Sequence, residues 1–491
     1  MILLMMHKRV VIAFFSIFLC LFVLQPFRIM ASDKVPNKTG KPKLVSQIDT
    51  ILSDSSLSPC FLGVNIVSLP RGTVLYSRNS KKLFHPASTM KLVTTASALN
   101  SLSKNFRFIT TVSTNAKIED SLLAGNLHVS SSGDPLFTTA DMDTIADFLL
   151  RGGIRTIKGN LIGDTSIFDG KYWGKGWMWD DEPEAYEAFI SPLAVNANSL
   201  TFLLSPGRKN GDQISYTVDP PVPFLTVTNQ GVTTDDTTIA KVTVTRPYHE
   251  NKFLITGRLS PRDSTKKISL SLWQPSWFYL RLLKERLKER GITILGSCIL
   301  DSGRHGKKLI EIIHPLDSVL SRINKESDNL AAEMLLKILG RERYGNPGTS
   351  EKGLLVNQAT LLHCGIDTSS VTMVDGSGLS FYNEMTPDAF TRLLKFQFRQ
   401  PTFLRYYESL PIAGIDGTLK KRMKGTKAEG NVHAKTGSFT GVSTLSGYVT
   451  SADSVLFAFS IMANHFPGDM RTLRMMQDKL MILLSEATIK K

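Results

Sequence analysis

The chain has 491 residues, 42% hydrophobic and 21% charged, a balance that supports a sizeable core and two or three domains. A formal net charge of +15 fits either attraction to anionic surroundings or solvated lysines with no partner. No basic run is interleaved with aromatics and no finger or helix-turn-helix signature occurs, so nucleic acid is disfavoured as a partner. The four cysteines lack zinc-ligand spacing, and neither a metal nor a cofactor is expected.

His7-Lys8-Arg9, the apolar run Val10–Leu24 and the small residue Ala31 predict a secretory signal over residues 1–31, cut after Ala31. An uncleaved anchor is the alternative, although the run is short for one. Export follows either way, with peripheral membrane association left open. Removal of the signal leaves Cys60, Cys298 and Cys364. One pair among them can close in an oxidising compartment, and the sequence does not choose which.

Residues 32–45, with Pro36, Gly40 and Pro42, read as an extended leader. Residues 61–69 and 73–77 read as two strands joined by a turn at Pro70-Arg71-Gly72. A helix is predicted from Ser88 to about residue 100. From about 106 the pattern changes to short alternating strands at 108–113, 126–130 and 159–162, with a helix over 141–150. Trp173 to Asp181 is dense in aromatics and acids. Strands return over 210–273, including 239–244 and 268–272, and a helix over 277–290 stops at Gly291. A helix over 329–339 is expected to end at Gly340. Residues 371–379 read as a strand entering a glycine-rich loop, and Pro387 opens a helix. Strands at 443–449 and 454–463 precede a final helix over 470–486.

Three short motifs fall at element boundaries. Ser88-Thr-Met-Lys91 opens the first apolar helix, so i to i+3 spacing lets the Lys91 amine reach back to the Ser88 hydroxyl and take its proton. The same pattern at Ser101–Lys104 and Ser264–Lys267 lies at a helix end and in a polar turn. Ser327-Asp328-Asn329 stands where a loop enters a helix. Lys435-Thr436-Gly437 begins an apolar strand. Ser-x-x-Lys, Ser-Asp-Asn and Lys-Thr-Gly in this order are the known signature of penicillin-binding proteins and β-lactamases.

With its longer signatures at 324–333, 375–380, 410–419 and 430–449, the chain resembles the low-molecular-mass class C penicillin-binding proteins. These are D-alanyl-D-alanine carboxypeptidase/endopeptidases with large insertions. The resemblance implies an α/β fold: a β-lactamase/transpeptidase-like domain, its antiparallel sheet flanked by helices, with two nested, mostly β inserted domains. The expected boundaries are 32–108 and 292–491 for the catalytic domain, 109–131 and 210–291 for domain II, and 132–209 for domain III.

It also implies a periplasmic enzyme of cell-wall remodelling, with peptidoglycan stem peptides as substrate and β-lactams as covalent inhibitors. Ser88 would be the nucleophile, Lys91 the base, Ser327 a proton relay and Asn329 a peptide anchor. Lys435 and Thr436 would bind the terminal carboxylate, Gly437 completes their motif, and the N–H groups of Ser88 and Ser438 would form the oxyanion hole. Asp181 and Tyr186 resemble contacts for the free amino-acid end of the stem peptide. Phe439 departs from the more usual aliphatic residue after the triplet, which leaves the fit of the substrate side chain open. A β-lactamase and a non-catalytic penicillin-sensing protein are the rivals, and a homodimer is left open.

Overall fold

The strands that read as unbroken apolar runs lie at the centre of the molecule in the computed structural model, which describes residues 43–302 and 306–489. The expected secretory segment and most of the leader lie outside the described residues. The leader's last three residues belong to a helix, Lys43–Leu52. Val442–Thr450 and Leu456–Asn464 are buried almost end to end. A strand covered on both faces has no polar side to alternate with.

They pair in the antiparallel order His433–Phe439, Val442–Thr450, Leu456–Asn464, Phe61–Ser68, Thr73–Arg78. Period-two alternation then sorts the side chains. Phe457, Phe459 and Ile461 face a core shared with the helices Lys43–Leu52 and Met470–Glu486. Ala458 and Met462 face the helices Lys91–Ser101, Leu316–Lys325, Asn329–Tyr344 and Pro387–Phe398.

Gly340 does not end its helix, which runs on to Tyr344. A Cβ there would lie 2.7 Å from the backbone nitrogen of Gly353, so the two glycines let this helix cross Ser350–His363 at backbone contact. Residues 371–379 form no strand. Their one β-bridge to another segment joins Thr372 to Glu384, and they are otherwise a loop held by side chains.

The insert is built from smaller sheets, and its strand pairing crosses the expected boundaries. Lys307–Pro315, assigned by sequence to the catalytic domain, pairs with Arg107–Thr114. Cys298–Leu300 pairs with Leu161–Asp164, which pairs with Leu127–Ser131. Ser199–Ser205 sits between Ser215–Asp219 and Lys266–Ser271, so it joins the 210–273 strands and not the 132–198 segment. Alternation announces a strand but carries no label for its partner. Cys60, Cys298 and Cys364 are all free thiols, so no pair among them is closed. Among the described residues no helix is long and apolar enough to cross a membrane.

Candidate active site

The Lys91–Ser101 helix is buried on nearly every side, which suits its run of small and apolar residues. Ala87–Met90 forms a tight 3-10 turn ahead of it, so Ser88 stands just before the α-helix and not in its first turn. Two hydroxyls pin that turn: Thr89 Oγ1 and Thr444 Oγ1 donate to the Pro86 carbonyl at 2.6 and 2.8 Å.

Lys91 Nζ reaches back to Ser88 Oγ at 3.0 Å. The same amine donates to Asn329 Oδ1 at 2.5 Å and to the Ser377 carbonyl at 2.6 Å. All three acceptors are uncharged, and Lys91 is fully buried. Burial disfavours the ammonium form and brings the pKa down to about 8, against the opposing pull of Asp375, Glu333 and Asp328.

The second motif arrives on a helix start. Asp328 caps Asn329–Tyr344 by accepting from Ala331 N at 2.9 Å, while Ser327 takes a left-handed backbone with φ 62°. Such a conformation costs a non-glycine residue roughly 1 to 3 kcal/mol and is found where the surroundings hold it. The Asn329 amide is oriented from both ends, since its Nδ2 donates to the Tyr186 carbonyl at 2.8 Å.

The third motif lies on the sheet's edge strand, His433–Phe439. Lys435 Nζ donates to Ser327 Oγ and to the Thr436 carbonyl, each at 2.9 Å. Burial, then the nearby charge of Lys91, holds Lys435 well below the ordinary lysine range. A Cβ on Gly437 would fall 2.9 Å from Ser88 N and 2.7 Å from the Pro86 carbonyl. Only glycine lets the edge strand run this close to the serine's amide.

Ser88, Ser327, Asn329, Thr436, Gly437, Ser438 and Phe439 line one cleft of about 630 Å³, with Asp181 and Tyr186 on its outer wall. Lys91 and Lys435 reach it from behind through Ser88 and Ser327. Tyr186 Oη donates to Asp181 Oδ1 at 2.7 Å, and Phe439 stacks on Phe381 with centroids 4.7 Å apart. The site residues expected from sequence therefore border one space, except Lys91 and Lys435, which are buried behind it. Ser101 instead lines a separate cavity with Arg343 and His363, and Ser264 is exposed in the insert.

Sequence reasoning gave no role to the groups behind the two amines. Glu333 accepts from Gly376 N at 2.9 Å and Ser377 N at 2.7 Å, which aims the Ser377 carbonyl at Lys91. Asp375 accepts from Gly378 N, Ser380 N, Asn383 Nδ2 and Trp177 Nε1. Thr418 accepts from Thr436 Oγ1 at 2.8 Å. The signal was present, because acids inside apolar or glycine-rich runs are seldom buried without a partner. Glu187 was also missed. It is buried next to the outer wall, where burial and then Asp181 and Asp180 push its carboxyl up to about 8.

An antiparallel sheet whose edge carries Lys-Thr-Gly, set against Ser-x-x-Lys and Ser-Asp-Asn, defines a serine peptidase of the β-lactamase and transpeptidase-like class. The comparison with protein families narrows this. Residues 44–486 match the model of the D-Ala-D-Ala carboxypeptidase 3 (S13) family, and the chain belongs to that family. It is 33% identical over 460 residues to a D-alanyl-D-alanine carboxypeptidase of Actinomadura sp. (strain R39), covering 90% of this chain and 85% of that protein. It is 27% identical to the D-alanyl-D-alanine carboxypeptidase DacB of Haemophilus influenzae over 88% of this chain and 95% of that one. The crystal structure of penicillin binding protein 4 from Haemophilus influenzae superposes with a TM-score of 0.79 at 26% identity, covering 90% of this chain and 99% of that chain.

Proposed function

We propose that this chain is a serine-type D-Ala-D-Ala carboxypeptidase, with endopeptidase action on the same peptidoglycan stem peptides, working through an acyl-enzyme on Ser88. The observation that carries the reading is a fully buried amine 3.0 Å from a serine hydroxyl, hydrogen-bonded only to uncharged oxygens. Such an amine gives up its proton near neutral pH and can then accept one.

Ser88 Oγ attacks the carbonyl carbon between the two D-alanines while its proton passes to Lys91. The N–H groups of Ser88 and Ser438 hold the oxyanion, each worth about 3 to 4 kcal/mol in sites of this kind. The Ser327 hydroxyl relays the proton taken up by Lys91 to the leaving nitrogen, giving its own proton and receiving that one in its place; the C–N bond breaks, and D-alanine departs. Lys435 and Thr436 hold its carboxylate, and Asn329 fixes the peptide. Water then attacks the ester carbon, releasing the shortened peptide and restoring Ser88. In a β-lactam the same attack opens the ring, and the leaving nitrogen stays tethered to the acyl group. Two relatives are in keeping with this: one is named penicillin-sensitive carboxypeptidase A, from Dictyostelium discoideum. The other, penicillin binding protein 4 from Haemophilus influenzae, has been crystallised in complex with a β-lactam.

Asp181, Tyr186 and Phe439 are assigned to the stem peptide's side chains. The substrate and the secretory signal expected over residues 1–31 support a periplasmic location. The 107–315 insert is read as an outer part carrying an inner part at 199–271. Mass spectrometry after exposure to labelled penicillin tests the mechanism, with D-alanine release from a pentapeptide as the second readout. A single adduct on Ser88, lost in Ser88→Ala, is expected, with a burst of penicillin consumption and no sustained hydrolysis. An adduct on Ser101 or Ser264 would overturn it.

A further inference from the structure

The outer wall of the cleft is a loop, residues 172–190, closed at its base by a hydrogen bond from Ile190 N to the Tyr172 carbonyl at 2.9 Å. Its tip carries Asp181 and Tyr186. Its base borders a second cavity of about 270 Å³, which shares no lining residue with the cleft. The cavity is rich in aromatics. Tyr172, Phe189 and Trp273 brace one another edge-on, with centroids 5.1 to 5.5 Å apart, so their orientations are fixed by packing. Phe189 is buried, but Tyr172 and Trp277 remain 42% and 39% exposed and offer ring surface to a ligand.

The polar groups are neutral. Ser191 Oγ and Ser276 Oγ meet at 2.6 Å, and Gln274 brings an exposed amide on a left-handed backbone with φ 53°. Among the described residues no carboxylate lines the cavity, and the one ammonium, Lys171, is already paired with Glu351 at 2.8 Å. Ionic ligands therefore find no counter-charge here. A neutral ligand with apolar C–H faces, hydroxyls and an amide fits both the rings and the hydrogen-bonding groups.

The geometry points to a carbohydrate site at the base of this loop, taking an N-acetylated amino sugar of a glycan strand. The choice of that sugar rests on the peptidoglycan reading above. The loop also has a firm mount: Lys337, one helical stretch beyond Asn329, donates to Asp169 Oδ1 at 2.5 Å and to the Lys171 carbonyl at 2.7 Å. One rigid segment thus carries a sugar platform at its base and a peptide-reading wall at its tip, which suits a substrate in which peptide hangs from glycan.

The probe is a β-1,4-linked N-acetylglucosamine tetramer, titrated into the full chain and followed by tryptophan fluorescence and calorimetry. Saturable binding is expected, weakened by about tenfold or more in Trp277→Ala, a difference well within the reach of both methods. Gln274→Gly is the second variant. Glycine suits the left-handed backbone, so weaker binding there reports the lost amide and not unfolding. On pentapeptide-bearing glycan strands Trp277→Ala should raise KM and leave kcat unchanged, with no effect on free pentapeptide. Absence of saturable binding by the wild-type chain, or equal affinity in both variants, would overturn the site. Penicillin acylation is measured alongside: its failure would sink the proposed function, and the sugar titration would still decide the cavity.

Discussion

Two of the buried cations, Arg246 and Lys91, sit under opposite conditions. Arg246, in the insert, has a fully buried side chain and meets Glu182 at 2.9 Å. Its other donors reach the Ser271 and Glu182 carbonyls and Ser271 Oγ at 2.9 to 3.0 Å. Lys91, in the catalytic body, is as deeply buried but has only neutral oxygens around its amine. The guanidinium cannot give up its proton and is matched charge for charge; it fastens the segment behind Asp181 to the insert. The ammonium can give up its proton and is left unmatched, so burial turns it toward the neutral form. A buried charge that is fully paired marks a joint, whereas Lys91, left unpaired beside the nucleophilic hydroxyl, is free to serve as a base.

The comparison breaks most visibly if the amine is removed. Lys91→Met keeps the volume and deletes the proposed base, and penicillin acylation should fall by roughly 10² to 10⁴, the range for loss of a general base. The melting temperature should hold or rise, because a desolvated amine is replaced by a chain that needs no water. A variant that acylates normally would show that Ser88 is activated some other way. The reverse experiment is Glu182→Ala, which strands Arg246 without its counter-charge. Breaking a buried pair from one side typically costs about 3 to 5 kcal/mol, so denaturant unfolding should show a loss of that order. Penicillin acylation per folded molecule should change little, since no atom of this joint touches Ser88 or Lys91.

The same contrast explains what could be read from sequence. The three motifs were legible because each needs neighbours in sequence: i to i+3 reach from Lys91 to Ser88, a cap at Asp328, and a glycine at 437 where the strand passes the serine. Their convergence followed from the order of elements. The supports were legible only as acids set in apolar or glycine-rich runs; their partners were not, because Glu333 and Asp375 act on Ser377 and Trp177 across segments far apart in the chain. Gly340 was misread for a related reason. A glycine late in a helix signals an end or a close crossing, and only the partner Gly353 decides which. In the insert, alternation marked strands such as Lys266–Ser271, but pairing with Ser199–Ser205 depends on long-range register that no local pattern carries.

A smaller effect comes from pH. With Lys91 brought down to about 8, the neutral amine is scarce at pH 6 and predominates above pH 8. Acylation should therefore climb roughly a hundredfold from pH 6 to its plateau, following a single ionisation two units above the starting pH. The sign for stability agrees. Between about 8 and the unfolded lysine value of about 10.4 the unfolded chain binds the extra proton, so this group favours folding more as pH rises through that window. A flat pH–rate profile across pH 6 to 8 would count against Lys91 as the base.

The smallest expected change tests whether the loop behind the amine is held as firmly by neutral donors as the Arg246 joint is by its counter-charge. Asp375 is matched from every side: Oδ1 takes Gly378 N and Asn383 Nδ2, and Oδ2 takes Ser380 N at 2.7 Å and Trp177 Nε1 at 3.1 Å. Trp177→Phe removes the longest of these bonds and keeps most of the ring packing. Loss of one hydrogen bond to a charged group costs about 1.5 to 3 kcal/mol. If the remaining three donors hold the loop, the Ser377 carbonyl stays aimed at Lys91, and acylation should slow only a few-fold while the pH midpoint stays put. If the loop relaxes instead, Lys91 loses an acceptor that favours its charged form. The rate would then drop further and the midpoint of the pH profile would move down. The midpoint separates these cases where the rate alone does not, because a purely structural loss lowers the folded population without altering how readily the amine sheds its proton.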